Sequence, residues 1–597
     1  MTAYRKIKTR GFLLRLLCIL SPLPWGGAGG GLVSCSDFLE IEPQEIIVLD
    51  KFWNEEADVE NMVAGCYSTM QGDAVISRMM VWGEFRSDNT VGGTGIENLT
   101  ALSNVFKENI NASNSYAKWG DFYNVINRCN TILYYAPQVA QKDPNYTQSE
   151  LLATEAEVKA LRDLMYFYLI RTFRDVPYYT QPYLDDNQTM NLPATKFEVV
   201  LDSLITDLEA VQGNAVRRYP TNKINYQQGR ITQDAIHAML ADMYLWKRDY
   251  QKAIHYADLV IDAKTAAYQE ELDKMGGNTM STERMIDGYP LISDAMTTGN
   301  YYGNAYQDIF GVGASRESIF ELVFSDNDQM LANSAVSSHY GNATTFPGDV
   351  RPADFLCTDV NDEVYSVFLS KNDTRYYENM QSINGSRTLF GINKYAYRST
   401  MVDLTKAEIQ GSYGSAYAAN LCHANWILYR LTDIMLLKAE ALVELAPDSV
   451  SAPAATDSVS GDVAAGTTDN LSLAFAIVNT INKRSNCSSG SKDLDQTNYA
   501  TKSLMKDLVI EERQRELMFE GKRWYDLVRR SQRDGNTDYL VGCVSRKGST
   551  GGAVGSKLSR MEAIYWPYHI DEMKVNDQLV QNPAFGSGED KSYERTK

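Results

Sequence analysis

Apolar residues recur at helical spacing over two long stretches of this chain and lose that period between them. In the first stretch, from Asp50 to Ala263, Ala156, Ala160, Leu164, Phe167 and Tyr168 fall on one helical face. The pattern is clearest from Gly229 to Ala263. There Ala235, Ala238, Ala241, Tyr244 and Leu245 share a face, Lys247-Arg248-Asp249 makes a turn, and Tyr250, Ala253, Ile254, Ala257 and Ile261 share a second face. Small alanines let the two helices approach closely. This is the pattern of a tetratricopeptide-type helical hairpin, although the Trp-Leu-Gly signature of that repeat is absent. One hairpin cannot bury its apolar face alone, so about four such units are expected to stack.

From Lys264 to His423 Gly, Asn, Ser and Tyr dominate, and the chain reads as long loops with short elements. Ser318 to Phe324 is a strand candidate. Loops carried on a rigid scaffold are where binding residues tend to sit. Helical period returns at Leu428–Leu445, Leu473–Arg484 and Lys502–Arg530. Residues 446–470 are almost wholly small and polar, with Asp-Ser-Val at 448–450 and again at 457–459, and read as a surface excursion. The tail from 531 to 597 reads as irregular. The expected fold is mostly α, built of tetratricopeptide-like hairpins with a loop-rich region of short strands. The boundaries are a helical part at 36–263, a loop-rich middle at 264–423, C-terminal helices at 424–530 and the tail, all in one domain over 35–597.

The first 34 residues change that picture from protein to address. Arg5, Lys6, Lys8 and Arg10 precede an apolar run from Phe12 to Trp25, broken by Arg15. Small residues and then Leu32-Val33-Ser34-Cys35 follow. A basic start, a short apolar core and small residues before a cut make an export signal and not a membrane span. Cleavage before Cys35 would leave that thiol to carry lipid, which holds a protein to a bilayer without any helix. Residues 1–34 hold five cations and no acid, so a net charge of −19 becomes −24 in the mature chain. Such a surface argues against nucleic acid and anionic membrane surfaces as partners. Six cysteines remain beyond Cys35, scattered and without Cys-x-x-Cys spacing, so no zinc site is expected and disulfide pairing stays open.

The densest chemistry lies in the sequence Glu-Glu-Arg-Gln-Arg-Glu-Leu-Met-Phe-Glu-Gly-Lys-Arg-Trp-Tyr-Asp-Leu at 511–527. Glu512, Glu516 and Glu520 stand four apart, and Arg523 and Asp526 one turn apart. Like charges at that spacing repel, so the stripe needs cationic partners or water. Two readings follow: an ion network locking a helix to its neighbours, or the acid and base of a glycosidase. The five histidines make no His-Glu-x-x-His motif, and neither a nucleophile elbow nor a phosphate-binding loop is present. No cofactor or metal is expected.

The same stretch resembles the C-terminal signature of the SusD/RagB family through Glu512-Arg513, Glu516-Leu517, Glu520-Gly521, Arg523 and Asp526-Leu527. Further matches occur in the family's order. They are Phe38-Leu39 and Pro43 after Cys35, Glu155-Ala156 with Leu161-Arg162, and Phe173-Arg174-Asp175-Val176-Pro177, where Arg174 replaces a glycine. Gly229-Arg230 with Leu240-Ala241, Glu317 to Glu321, Arg430 to Asp433 with Ala439-Glu440-Ala441, Trp566-Pro567 and Gln581-Asn582-Pro583 continue the series. At 479–485 Asn482 and Ser485 depart from the pattern, which weakens the ion network expected there. The resemblance implies a nutrient-binding outer-membrane lipoprotein, not an enzyme. It would capture oligosaccharide and deliver it to a SusC-like TonB-dependent barrel. A peptide ligand of the RagB kind, a surface glycosidase and a scaffold without small ligand are the alternatives. The signature residues then belong to the scaffold, and the ligand face is expected in the N-terminal and middle loops. The candidates are Trp82, Arg86, Asp88, Asn89 and Trp119, with Tyr301, Tyr302, Tyr306 and Tyr340. Tyrosines, 37 in all, offer a flat apolar face and a polar tip.

Overall fold

The computed structural model describes residues 52–586, apart from 186, 221–222, 224, 276–284, 297–299, 326–331, 342–347, 358–366, 371, 384–388, 407–408, 410, 418–421, 448–468, 486–493 and 548–550. The leader, Cys35 and the two Asp-Ser-Val repeats lie outside the described residues.

Eleven of its helices are labelled here in chain order: α1 (Glu56–Met70), α2 (Asp73–Met80), α3 (Gly120–Lys142), α4 (Gln148–Phe173), α5 (Phe197–Val211), α6 (Gln233–Lys247), α7 (Tyr250–Met275), α8 (Leu431–Leu445), α9 (Asn470–Ser485), α10 (Lys502–Leu517) and α11 (Arg523–Asp534). Shorter helical turns are cited by residue. Local signals start several of them. The Thr147 hydroxyl accepts from the Glu150 amide while the Glu150 carboxylate accepts from the Thr147 amide, a reciprocal cap on α4. Thr232 and Thr501 cap α6 and α10 in the simpler one-way form.

Helices pack in sequence: α1 on α3, α3 on α4, α4 on α5, and α6 on α7. The turn expected at Lys247-Arg248-Asp249 is there, with Arg248 in the left-handed conformation (φ 67°) ending α6. Helix α4 is buried on nearly every side from Ala156 to Phe173, so its sequence shows little one-sidedness. Helix α8 joins the two halves of the chain. It packs on α7, α9 and α10 around a core that includes Ile261, Met435, Leu442, Val478, Ile481 and Leu508.

Nine short strands lie among the described residues: β1 (Thr90–Gly92), β2 (Tyr301–Tyr302), β3 (Ser318–Leu322), β4 (Val350–Pro352), β5 (Met380–Ser382), β6 (Phe390–Ile392), β7 (Thr400–Asp403), β8 (Gly411–Tyr413) and β9 (Trp426–Arg430). They form antiparallel pairs β1–β4, β3–β9 and β5–β6 and a three-stranded sheet β2–β7–β8. The strand expected at 318–324 is β3. It is buried along its whole length, as a short continuous apolar run allows.

Four boundaries differ from the sequence reading. The helical part expected to end at 263 continues through α7 to Met275. The helix expected from Leu428 begins at Leu431, because Trp-Ile-Leu-Tyr-Arg at 426–430 pairs with β3 instead. The helix expected over Lys502–Arg530 is two helices, broken at 518–522 where Phe519 (φ 67°) and Gly521 (φ 72°) turn the chain. The tail is not irregular throughout: α11 runs to Asp534, and Asp538–Ser545, Gly551–Leu558 and Ile570–Val575 are helical. At the Phe-Arg-Asp-Val-Pro turn, Arg174 keeps a glycine-like geometry (φ 72°, ψ −77°). The Asp175 amide donates to the Phe173 carbonyl at 3.1 Å, closing a positive-φ γ-turn. That conformation is strained for a residue with a Cβ.

Candidate functional site

The carboxylate stripe is buried and fully engaged. Glu512 meets Arg375 at 2.7 Å and Arg515 at 2.9 Å. Glu516 meets Arg430 at 2.6 Å, Arg484 at 2.5 Å and Arg375 at 3.1 Å. Glu520 lies beyond the end of α10, on the turn, yet joins the cluster through Arg430 at 2.8 Å and Lys394 at 3.0 Å. Burial alone would raise the Glu516 pKa. The guanidiniums of Arg484, Arg430 and Arg375 overcome that and hold the carboxyl well below the usual range. Glu512 and Glu520 are lowered by the same contest. A glycosidase acid needs the opposite shift and access to substrate, so these glutamates serve as scaffold. The departures at Asn482 and Ser485 do not dissolve the network, since Arg484 still bridges Glu317 and Glu516.

The turn at 518–522 props up the N-terminal segment where ligand residues were expected. The Glu84 carboxylate accepts from the amides of Phe519 (3.0 Å), Gly521 (3.1 Å) and Lys522 (3.3 Å), and from Asn89 Nδ2 (2.8 Å). Gly83 lies so close to this turn that a Cβ on it would stand 1.9 Å from the Gly521 carbonyl oxygen. A side chain on Gly83 would force the two segments apart.

Seven of the nine expected ligand residues lie inside this frame and present no face to solvent. Asp88 accepts from Arg523 (2.8 and 3.0 Å), Arg546 (2.9 Å) and Gln514 (3.1 Å), and Asn89 accepts from Gln514 (2.8 Å). Arg86 pairs with Glu108 at 2.8 Å, donates to the carbonyls of Ala563 and Ile564, and lies over the Trp524 ring. Trp82 packs on Phe122 and Phe173 and donates to the Tyr116 carbonyl at 2.9 Å; Trp119 packs on Phe173 and Tyr568. Tyr306 donates to the carbonyls of Asn393 and Tyr397, and Tyr340 to that of Phe519. The physical reason is shared: each polar tip finds a partner within the protein, so each large apolar face can be buried. Tyr301 and Tyr302 are half-buried on β2, paired with Asp403 and Val402 of β7.

What does face solvent beside these residues is an open polar cleft of about 400 Å³ between α2, the 115–117 turn and the Ser334–Tyr340 helix. Arg78 sits one helical turn before Trp82. Its guanidinium meets Asp121 at 3.0 Å and donates to the Lys118 carbonyl at 2.6 Å, holding the turn that carries Tyr116. Tyr116 is half-buried, its carbonyl accepting from the Trp82 indole N–H at 2.9 Å and its amide held by Asn114 Oδ1 at 3.0 Å. Burial pushes its hydroxyl up, so the group stays protonated and able to donate. Opposite it, Ser77 Oγ lies 2.5 Å from His339 Nε2, and His339 Nδ1 lies 3.5 Å from Asp349. The Ser334 hydroxyl donates to Asp73, which is exposed, as are Ser115 and Ser338. The cleft thus offers one aromatic ring and a rim of hydroxyl, carboxylate and guanidinium groups, the donor and acceptor set that meets a polyhydroxylated ligand. Its residues were missed because short polar side chains on helix ends carry no sequence signal. The one available hint was the four-residue step from Trp82 back to Arg78.

Comparison with known proteins agrees with this fold. A family model described as the SusD family matches residues 262–585, and one described as "Starch-binding associating with outer membrane" matches 37–245. "SusD-like protein P38" of Formosa agariphila is 24% identical over 573 residues, covering 93% of this chain and 97% of that one. A SusD homolog of Bacteroides thetaiotaomicron superposes with a TM-score of 0.63 at 17% identity, covering 90% of this chain and 98% of its own. A structure titled "Laminarin binding SusD-like protein" gives 0.58 at 19% identity, with 89% and 100% covered. Since one family model alone spans more than half of the sequence, and the solved relatives share the fold over nearly their full length, this chain belongs to the SusD/RagB family.

Proposed function

We propose that this protein captures oligosaccharide at the cell surface and hands it to a SusC-like TonB-dependent barrel. It would be held to the outer membrane by lipid on Cys35. The observation that carries the reading is the cleft at Arg78, Tyr116 and His339. It is open and rich in hydroxyl partners, and it sits beside a signature-bearing turn that fixes its walls. The family description, starch binding in association with the outer membrane, supports the same ligand class and location, as does the laminarin-binding neighbour. Among the described residues no helix is long and apolar enough to cross a membrane.

In this reading Tyr116 stacks on the apolar face of a sugar ring. Asp73, Ser115 and Ser338 exchange hydrogen bonds with its hydroxyls, and Arg78 keeps the Tyr116 turn in place. Calorimetry of residues 36–597 against panels of oligosaccharides and of mixed peptides tests it. Saturable binding of one glycan class without product is the expected result. Binding of peptides alone would replace the ligand class with that of the RagB branch, and turnover of any glycan would overturn the assignment as a pure binding protein.

A further inference from the structure

Helix α1 is fastened to α3 at two places. At one end the Glu56 amide donates to the Asp143 carboxylate at 3.0 Å, and Lys142 donates to the Trp53 carbonyl at 3.1 Å. Further along, Cys66 of α1 and Cys129 of α3 face each other, both fully buried, with their sulfurs 3.8 Å apart. Val63 and Met70 of α1 and Val125, Ile126 and Ile132 of α3 are buried with them. The residues just before the pair approach as well, since a Cβ on Gly65 would stand 3.5 Å from the Arg128 guanidinium. The other described thiols meet different groups. Cys357 donates to the Ala353 carbonyl, Cys422 donates to the Tyr395 carbonyl, and Cys543 accepts from Arg523, each at 3.7 Å. Cys487 lies outside the described residues.

A disulfide bond is about 2.05 Å long, so the two sulfurs need to approach by about 1.8 Å. Rotation about χ1 moves each sulfur on a short arm without moving a helix axis. Burial raises the Cys129 pKa, and the contact with Cys66 adds to it, so in the folded protein the thiol keeps its proton. The thiolate is the attacking species, which places bond formation before α1 has docked on α3. The segment between the two cysteines, residues 67–128, carries α2 and the 115–117 turn, and with them Arg78 and Tyr116 of the cleft.

We infer that Cys66 and Cys129 are a disulfide site, closed during export by a disulfide oxidant, which locks α1 to α3 and closes the loop that carries one wall of the cleft. One protein thiolate attacks the oxidant disulfide and expels a thiol. The second attacks the protein sulfur of that mixed disulfide and expels the other. The protein gives up two electrons and two protons, and the oxidant leaves as two thiols. Exported chains meet such oxidants, so the inference rests on the export part of the reading above. A cross-link restricts the unfolded chain more than the folded one, so its loss should lower stability and leave the fold unchanged.

Full-length protein would be extracted from membranes in detergent, with N-ethylmaleimide present throughout, and digested without reductant. The expected result is a peptide pair joined through Cys66 and Cys129, two hydrogens lighter than its parts and separated by reductant. Lipid on Cys35, read from the N-terminal peptide of the same digest, reports export. Lipid there with both thiols blocked by maleimide would overturn the disulfide and leave the export reading standing. A chain that keeps its leader would overturn the export reading, and refolding then decides the disulfide. Reduced protein diluted from urea into oxidised glutathione should form the same link, lose it in Cys66→Ser, and show a lower urea midpoint once reduced again. Refolding with both thiols free, or with either joined to another cysteine, would overturn the proposal. Folded, reduced protein given the same oxidant should stay reduced, and rapid linkage there would overturn closure before docking.

Discussion

The network at Glu512, Glu516 and Glu520 and the cleft at Arg78, Tyr116 and His339 draw on similar chemistry, with opposite bookkeeping of partners. In the network every carboxylate is ion-paired inside the protein and all three are at most 2% exposed. In the cleft Arg78 and Ser77 are partly tied, while Asp73, Ser115 and Ser338 face solvent. Charge density marks the first region and says nothing of ligand, because the charges are spent on one another. Residual capacity marks the second. The two are connected, since the turn after the network clasps Glu84 and, through Tyr340, the helix bearing His339. A perturbation of the network should therefore reach the cleft as a loss of fold, and a perturbation of the cleft should stop there.

The largest expected effect is at the clasp itself. Gly83→Ala pushes a methyl into the Gly521 carbonyl and should cost at least about 3 kcal/mol, the upper end of overpacking. The check is urea denaturation, and a wild-type midpoint would break the link between the two regions. Of the same order is Glu516→Gln, which removes the charge shared by three buried guanidiniums and leaves Arg375 to Glu512 and Asp373, Arg430 to Glu520 and Arg484 to Glu317. Breaking such a group costs about 3–5 kcal/mol. The neighbouring carboxylates set a pH window for the same region. Burial would raise Asp433 and Glu440, but Lys522 and Arg513 bring the first to about 2, and Arg529 and Arg533 the second to about 2. Depressed carboxylates stabilise above their unfolded values, so the urea midpoint should hold down to pH ~4 and fall steeply between there and about 2.

A smaller and purely local effect is expected in the cleft. Tyr116→Ala should leave the denaturation curve unchanged and weaken glycan binding about tenfold, the worth of one aromatic platform. Unaltered affinity by calorimetry would move the site elsewhere. The smallest change should be a gain. Arg174→Gly relieves the positive-φ turn and should stabilise by about 1 kcal/mol, at the expense of a long, exposed contact of Arg174 with Glu198 worth little. A destabilised variant would show that the arginine holds more than its geometry suggests.

Much of the scaffold was legible because helix and strand announce themselves by period. The hairpin expected within 229–263 with its turn at 247–249, the buried β3 and the helices expected over 428–445 and 473–484 all follow local apolar spacing. So does family membership, which rests on ordered local motifs. Less legible was where those helices stop. The break at 518–522 depends on Phe519 and Gly521 adopting positive φ against Glu84 and Gly83, residues more than 400 positions away.

The choice of ligand residues was the least legible. Trp82, Arg86, Asp88 and Tyr340 have the composition of a binding face, and composition is what a sequence displays. Whether such a group meets solvent or a partner depends on which distant segments close over it. Arg523 and Arg546 cover Asp88, and the carbonyls of Ala563 and Ile564 take Arg86. The sequence by itself determined most of the elements and the family, since both are written in neighbouring residues. Tertiary structure alone decided which polar groups are spent and which remain open, because hydrogen-bond satisfaction is a property of three-dimensional neighbours and not of spacing along the chain.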